Sequence, residues 1–106
     1  MCQINIAIFA SGSGTNAENI IDWTRKSNHL KVGLILSNKN SAYVLERAKN
    51  NGIPSMTFTP DELKNTTLVD EILTKLKIDA IVLAGFLLRI PERLIEQYPG
   101  KIINIH

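Results

Sequence analysis

Five short apolar segments alternate along the chain with segments of helical periodicity, and this alternation constrains the fold more than any other feature of the sequence. The apolar segments are residues 3–9, 32–37, 53–58, 79–86 and 101–105. Because most of them are nearly continuous in apolar character, we expect strands that are covered on both faces. Strands joined by helices of this length imply right-handed βαβ crossovers. The sequence therefore predicts an α/β fold with an open, mostly parallel, doubly wound (Rossmann-like) sheet.

Four segments between and beside these strands carry apolar residues at helical spacing. The first helix is predicted from Asn16, with an apolar side that extends to Trp23. The second has Ser41 as its N-cap. Residues 60–77 form the next helical segment, and a short last helix is stopped by Pro99.

Composition limits the class of protein. The chain has 106 residues, of which 44% are apolar and 21% charged, so one globular domain is expected. The net charge is +2 and the basic residues are scattered, which gives no sign of a nucleic-acid or membrane partner. The single cysteine, Cys2, has no partner for a disulfide or a zinc site, so we expect no metal and a reducing, cytoplasmic environment.

The loop after the first strand reads SGSGTNA, in which Gly12, Gly14 and Ala17 match the G-x-G-x-x-G/A pattern. Glycines let the backbone approach an oxyanion closely, and the helix that follows points its free N–H groups at the same place. Thr15 and Asn16 add side-chain donors. We therefore predict a phosphate site here, while a tight turn that simply requires glycine remains the structural alternative.

The segment SNKN after the second strand lacks the acidic residue that would hold the ribose of NAD. Lys39 in this segment is available for a second phosphate. The Gly-Lys-Ser/Thr sequence of a P-loop is also missing, which argues against a nucleoside triphosphatase. A single phosphate monoester is the better candidate.

The last strand ends in INIH, and side chains alternate along a strand, so Asn104 and His106 share one face. Their Cα atoms are expected to lie roughly 6.6 Å apart. A carboxamide beside an imidazolium would stabilise an oxyanion, and the imidazole could exchange a proton with it. Taken alone, this pair is also compatible with a structural role.

The fourth strand leaves through LAGFLLRIPE. Gly85 permits close backbone approach, and the residues after it offer apolar surface for a flat ring, with Arg89 as the one charge before Glu92. The apolar residues are Phe86, Leu87, Leu88 and Ile90. A core strand that enters a helix, with Arg89 on the surface, is the alternative.

Four motifs together, FASGSGTN, LSNK, VLAGF and INIH, resemble the N-terminal half of the phosphoribosylglycinamide formyltransferase family, the folate-dependent enzymes of purine synthesis. The resemblance covers essentially all 106 residues. Methionyl-tRNA formyltransferase and formyltetrahydrofolate deformylase share the N-x-H element but do not resemble this chain at the glycine loop. A non-catalytic phosphate-binding α/β module is the alternative from a different class.

The resemblance implies transfer of a formyl group from 10-formyltetrahydrofolate to the amine of glycinamide ribonucleotide, in the synthesis of IMP. Partners would be these small molecules, without a metal, and the protein would be a monomer or homodimer in the cytoplasm. The implied phosphate-binding residues are Gly14, Thr15 and Asn16, supported by Ser11, Gly12 and Ser13. The implied folate-binding residues are Leu87, Leu88, Arg89, Ile90 and Asn104, and the catalytic ones are Asn104 and His106.

Two departures from the family pattern qualify these expectations. Many members read Gly-Phe-Met-Arg-Ile, whereas Arg89 lies one position later, so no side-chain role is carried over to it. The family chain also continues past the position of His106, with a further aspartate that orients the histidine. We therefore expect residues 1–106 to be the nucleotide-binding N-terminal part of a formyltransferase domain, with a sheet incomplete at the C-terminus and no activity alone.

Overall fold

The computed structural model describes residues 3–40 and 42–105. Strands and helices alternate as the apolar pattern predicts. The strands are β1 (Ile4–Phe9), β2 (Leu30–Ser37), β3 (Ser55–Thr57), β4 (Ala80–Ala84) and β5 (Ile102–Ile105). The helices are α1 (Thr15–Arg25), α2 (Tyr43–Asn50), α3 (Pro60–Asn65), α4 (Leu68–Lys75) and α5 (Glu92–Gln97).

The five strands form one sheet in the order β3-β2-β1-β4-β5, and every pair of neighbours is parallel. From β1 the chain builds outward to β3 on one side, then returns to add β4 and β5 on the other. The predicted open, doubly wound α/β sheet is confirmed. The strand order reverses between β1 and β4, and folds of this type bind ligands at the carboxyl ends of the strands beside such a reversal.

The helices cover both faces of the sheet, which explains why the strands are apolar throughout. On one face, Ala7 and Phe9 of β1 join a core with residues of α3, α4 and α5. On the other face, Ile6 and Ile8 join a core with residues of α1 and α2. Both faces of the central strand are therefore removed from water, as expected for a parallel sheet between two helical layers.

The prediction of one helical segment over residues 60–77 is wrong in detail, because α3 ends at Asn65 and α4 begins at Leu68. Thr66 adopts an extended conformation between them, with φ −128° and ψ 170°. Its hydroxyl donates to the Glu62 carbonyl and accepts from the Leu68 N–H. Such local bonds give the backbone an alternative to continuous helix.

Two details of the first helices also differ from expectation. Trp23 is 62% exposed, because the face of α1 that meets the sheet consists of Ala17, Ile21 and Thr24. The N-cap residue of α2 is Ala42, which makes no side-chain capping bond. The predicted cap, Ser41, lies outside the described residues. No helix within these described ranges has the length and apolar character needed to cross a membrane.

Candidate active site

The loops that follow β1 and β4 meet at the point where the strand order reverses. The Ser11 N–H donates to the Gly85 carbonyl at 3.2 Å, and the Leu87 N–H donates to Ser11 Oγ at 2.9 Å. The predicted phosphate loop and the predicted folate segment are therefore in direct hydrogen-bonded contact, although 76 residues separate Ser11 from Leu87.

The glycine loop leads directly into α1. Gly14 has φ 76° and occupies the N-cap position, where it provides no side-chain cap. Its carbonyl accepts the Glu18 N–H at 2.8 Å, which begins the helical hydrogen bonding. An uncapped helix start with small residues in front of it can accept an anion on its first N–H groups.

The two glycines of this loop differ in their surroundings, and the structure adds a packing requirement for one of them. A Cβ on Gly14 would lie 2.5 Å from Val44 Cγ2, so packing against α2 and the positive φ both require glycine there. A Cβ on Gly12 would meet nothing within 4 Å. Gly12 is therefore the position where open space in front of the loop is retained.

Helix α2 holds the glycine loop through contacts that the sequence did not reveal. Arg47 Nε donates to the Ser13 carbonyl at 2.7 Å, and the Val44 N–H donates to the Gly12 carbonyl at 3.3 Å. The Arg47 guanidinium also pairs with Glu18 Oε1 of α1 at 3.3 Å. Because Ser13 and Arg47 are 34 residues apart, no local pattern could have identified this bond.

The polar side chains predicted to meet the phosphate differ in their placement. Ser13 Oγ and Thr15 Oγ1 lie 3.2 Å apart, and both residues are exposed at the start of α1. Asn16 is half-buried and lines an apolar groove with Trp23 and Ile105. Ser13 and Thr15 therefore offer donors to a ligand in front of the loop, whereas Asn16 lies beside the end of β5.

The segment after β4 presents less apolar surface than the sequence suggested. Phe86 packs edge-on against Phe9 with ring centroids 5.3 Å apart, and Ile90 is buried. Leu87, by contrast, is 74% exposed. Leu88 and the exposed Arg89 line a cleft of about 610 Å³. Of the apolar side chains predicted for a flat ring, Leu87 is exposed, and Phe86 and Leu88 are half-buried. Ile90 also lines the cleft but is only 8% exposed.

Arg93 of α5 fixes the wall of this cleft, and sequence reasoning missed it. Its guanidinium donates to both carboxylate oxygens of Asp70, at 2.9 and 3.1 Å, and to the carbonyls of Leu63, Lys64 and Thr66. Asp70 is only 8% exposed. One side chain thus ties α5, which follows the folate segment, to the end of α3 and the start of α4.

Asn104 lies on β5 directly opposite Leu83 of β4. Ile102 packs into the core formed with α3, α4 and α5, so Asn104, two residues later, shares that face and is exposed. The segment after β4 contributes Phe86, Leu88 and Ile90 to the same core. His106 lies outside the described residues, so its predicted proximity to Asn104 stays a prediction.

Within residues 3–40 and 42–105, no group of three or more histidine, cysteine, aspartate or glutamate side chains could hold a metal ion. Cys2, for which the sequence predicted neither a disulfide nor a zinc site, lies outside these ranges.

Residues 4–106 match the family model described as formyl transferase. Phosphoribosylglycinamide formyltransferase of Haemophilus influenzae is 37% identical in an alignment 106 residues long, which includes 95% of this chain and 50% of the relative. The Bacillus subtilis protein of the same name is 37% identical over 105 residues, or 94% and 54% of the two chains. Glycinamide ribonucleotide transformylase 1 of Geobacillus kaustophilus superposes with a TM-score of 0.89 at 34% identity, covering 98% of this chain and 58% of that structure. The chain therefore spans about half the length of these relatives.

Proposed function

The chain belongs to the formyl transferase family, and on that basis we propose that it forms the phosphate-binding half of an enzyme that formylates glycinamide ribonucleotide. The formyl donor in this proposal is a folate, 10-formyltetrahydrofolate, and the reaction belongs to cytoplasmic purine synthesis. The proposal rests above all on one juxtaposition, the hydrogen bond between Ser11 of the glycine loop and Leu87 of the segment after β4. Two ligand-binding segments that touch at one sheet edge suit a reaction between two bound molecules.

We propose that the ribonucleotide phosphate lies against the glycine loop. The uncapped start of α1 supplies backbone N–H groups, and the exposed hydroxyls of Ser13 and Thr15 supply further donors. Arg47 contributes indirectly, because its bond to the Ser13 carbonyl holds the loop in shape. Gly14, Thr15 and Asn16 remain the proposed phosphate-binding residues, with Ser11, Gly12 and Ser13 as their support.

The folate ring is proposed to lie against residues 87–90. The exposed Leu87 side chain offers an apolar contact, and backbone groups of this segment are suited to the polar edge of a pterin. Asn104 occupies the same face of the sheet as the side chains of Leu88 and Ile90. A formyl group carried by the folate would thus be within the region that Asn104 faces.

In the proposed reaction, the amine of the ribonucleotide attacks the formyl carbon. The Asn104 carboxamide donates a hydrogen bond to the formyl oxygen as that atom gains negative charge. Protonated His106 is proposed to stabilise the same charge and to exchange the protons that let tetrahydrofolate leave. Removing one donor from such an arrangement costs about 10²–10³ in turnover.

A chimera tests this proposal, with the chain replacing its aligned half of the Bacillus subtilis relative. We expect folate-dependent formylation of glycinamide ribonucleotide, and a loss of about 10²–10³ in turnover for Asn104→Ala. Lys101→Ala, an exposed residue just before the same strand, is the matched control and should leave turnover near normal. Formylation of methionyl-tRNA instead, or hydrolysis of the formyl-folate, would identify one of the related enzymes.

Binding by the 106-residue chain itself provides a second test. We expect ribose 5-phosphate to bind by isothermal titration, and Gly12→Val to weaken that binding, because the added side chain enters the open space in front of the loop. Ser55→Val, on the exposed edge strand β3, should leave binding unchanged. Unaltered affinity in Gly12→Val would refute the phosphate site, and a folded chimera that binds phosphate without turnover would indicate a non-catalytic module.

A further inference from the structure

Ser11 is a junction between three loops at the ligand edge. Its side chain is buried, with the residue only 3% exposed. Its hydroxyl donates to Asn38 Oδ1 at 2.6 Å and accepts the Leu87 N–H at 2.9 Å. Its backbone N–H donates to the Gly85 carbonyl at 3.2 Å. The loops after β1, β2 and β4 therefore converge on one serine.

The two hydroxyl bonds determine each other's direction. A hydroxyl carries a single hydrogen, and Leu87 contributes an N–H, so the Ser11 hydrogen must point to the acceptor on Asn38. Burial at this position leaves little room for water to substitute for either partner. A small displacement of Ser11 therefore alters the bond to Leu87 without compensation from solvent.

Ser11 also belongs to the same loop as Gly14 and Thr15, the residues that are proposed to bind the phosphate, and lies three positions before Gly14. The segment from Gly12 to Thr15 is clamped from the other side by Arg47 and Val44 of α2. These two bonds limit the free movement of the loop at Gly12 and Ser13, next to Ser11 in the chain. Ser11 in turn is bonded to Leu87, the first residue of the proposed folate segment.

We propose that Ser11 is a positioning residue that couples phosphate occupancy of the glycine loop to the conformation of residues 87–90. The phosphorylated substrate would thereby prepare the site of the formyl donor, and by linkage the donor would strengthen phosphate binding by the same factor. This inference rests on the proposed function, since it takes the phosphate and folate positions from it.

Backbone amide shifts in a ¹⁵N-labelled 106-residue chain test the coupling, with ribose 5-phosphate as the probe. The amides of Gly14 and Thr15 report binding, and the amide of Leu87 reports coupling. We expect all three to shift along one saturation curve. In Ser11→Ala, the Leu87 response should be lost while the Gly14 and Thr15 shifts persist. Ser11→Thr retains the hydroxyl and should restore the response.

Ser37→Ala is the matched control. Ser37 is the last residue of β2 and a fully buried serine at the same sheet edge, but its hydroxyl accepts the N–H of Lys39, only two residues later in the chain. Loss of this hydroxyl should leave the Leu87 response intact, which separates the coupling from a general effect of removing a buried serine.

The possible outcomes separate the coupling through Ser11 from the proposed function on which it rests. Shifts at Gly14 and Thr15 without a shift at Leu87 would overturn the coupling and leave the phosphate site standing. No shift at any of these amides would overturn both. An undiminished Leu87 response in Ser11→Ala would show that the ligand acts on Leu87 by another route. If Ser11→Ala does not fold, Asn38→Ala decides, because it removes the acceptor and should weaken the Leu87 response.

Discussion

Gly14→Ala perturbs the glycine loop at the position where the structure leaves least freedom. The φ of 76° at Gly14 costs an L-residue about 1–2 kcal/mol. The added Cβ would also lie 2.5 Å from Val44 Cγ2 and 3.0 Å from Val44 Cα. Overpacking of this kind costs about 1–3 kcal/mol when the neighbours must shift. The expected loss in the free energy of unfolding is therefore about 2–5 kcal/mol.

Two other glycines separate the contributions to this loss. Gly100 has a similar φ of 69°, but a Cβ there would meet nothing within 4 Å, so Gly100→Ala should cost only the backbone part, about 1–2 kcal/mol. Gly12 has neither a positive φ nor a neighbour within 4 Å. Gly12→Ala should stay within about 0.5 kcal/mol of the original chain.

Urea unfolding followed by far-UV circular dichroism measures these differences. Trp23 fluorescence is a poor reporter, because that side chain is 62% exposed in the folded state. Equal losses for Gly14→Ala and Gly100→Ala would refute the contact with Val44. Near-neutral values for both would refute the left-handed backbone at these turns, and with it the described shape of the glycine loop.

Three further measurements test other parts of the structure. Arg93→Met should lower the free energy of unfolding by about 3–5 kcal/mol, because it leaves the buried Asp70 carboxylate without its cation. The double variant Arg93→Met/Asp70→Leu should recover much of that loss, and an equally large loss in the double variant would contradict this explanation. Burial, with smaller contributions from nearby carboxylates, raises the pKa of Tyr98 above its usual value of 10.0. The phenol therefore ionises at a lower pH in the unfolded chain than in the folded one, so the free energy of unfolding should fall as the pH rises above 10.0. Tyr98→Phe should show a shallower fall in alkaline urea titrations, and an identical slope would refute the assignment. Thr59→Ala removes the capping box with Glu62 and should cost about 1 kcal/mol by thermal unfolding, whereas no change would mean that the cap contributes nothing.

The fold was predictable from the sequence because parallel strands and their helices leave local signals. Continuous apolar runs such as β1 identify strands that are buried on both faces, and the intervening helical periods imply crossovers. The ligand edge follows from topology alone, which is why the glycine loop and the segment after β4 could be named as binding segments. The break between α3 and α4 was missed because it depends on side-chain bonds of Thr66 that apolar periodicity does not record.

The contacts that shape the site were not predictable, since each joins residues far apart in the chain. Arg47 and Ser13 are 34 residues apart, and nothing near either one signals the other. Gly14 illustrates the same limit in a different way. The sequence suggested that glycine is needed at this position for the approach of an anion, whereas the additional requirement from Val44 on a neighbouring helix is visible only in the structure.

Hydrophobic periodicity and the chirality of βαβ units were enough to predict the order of the five strands, the α/β class and the sheet edge at which ligands are proposed to bind. They did not predict that residues 60–77 form two helices. Which side chains reach that edge depends on the packing of the folded chain. Ile90 turns into the core, Leu87 stays in solvent, and Ser11 joins three loops through one buried hydroxyl. Packing between distant segments sets these positions, and it is fixed only when the whole sheet and both helical layers are assembled.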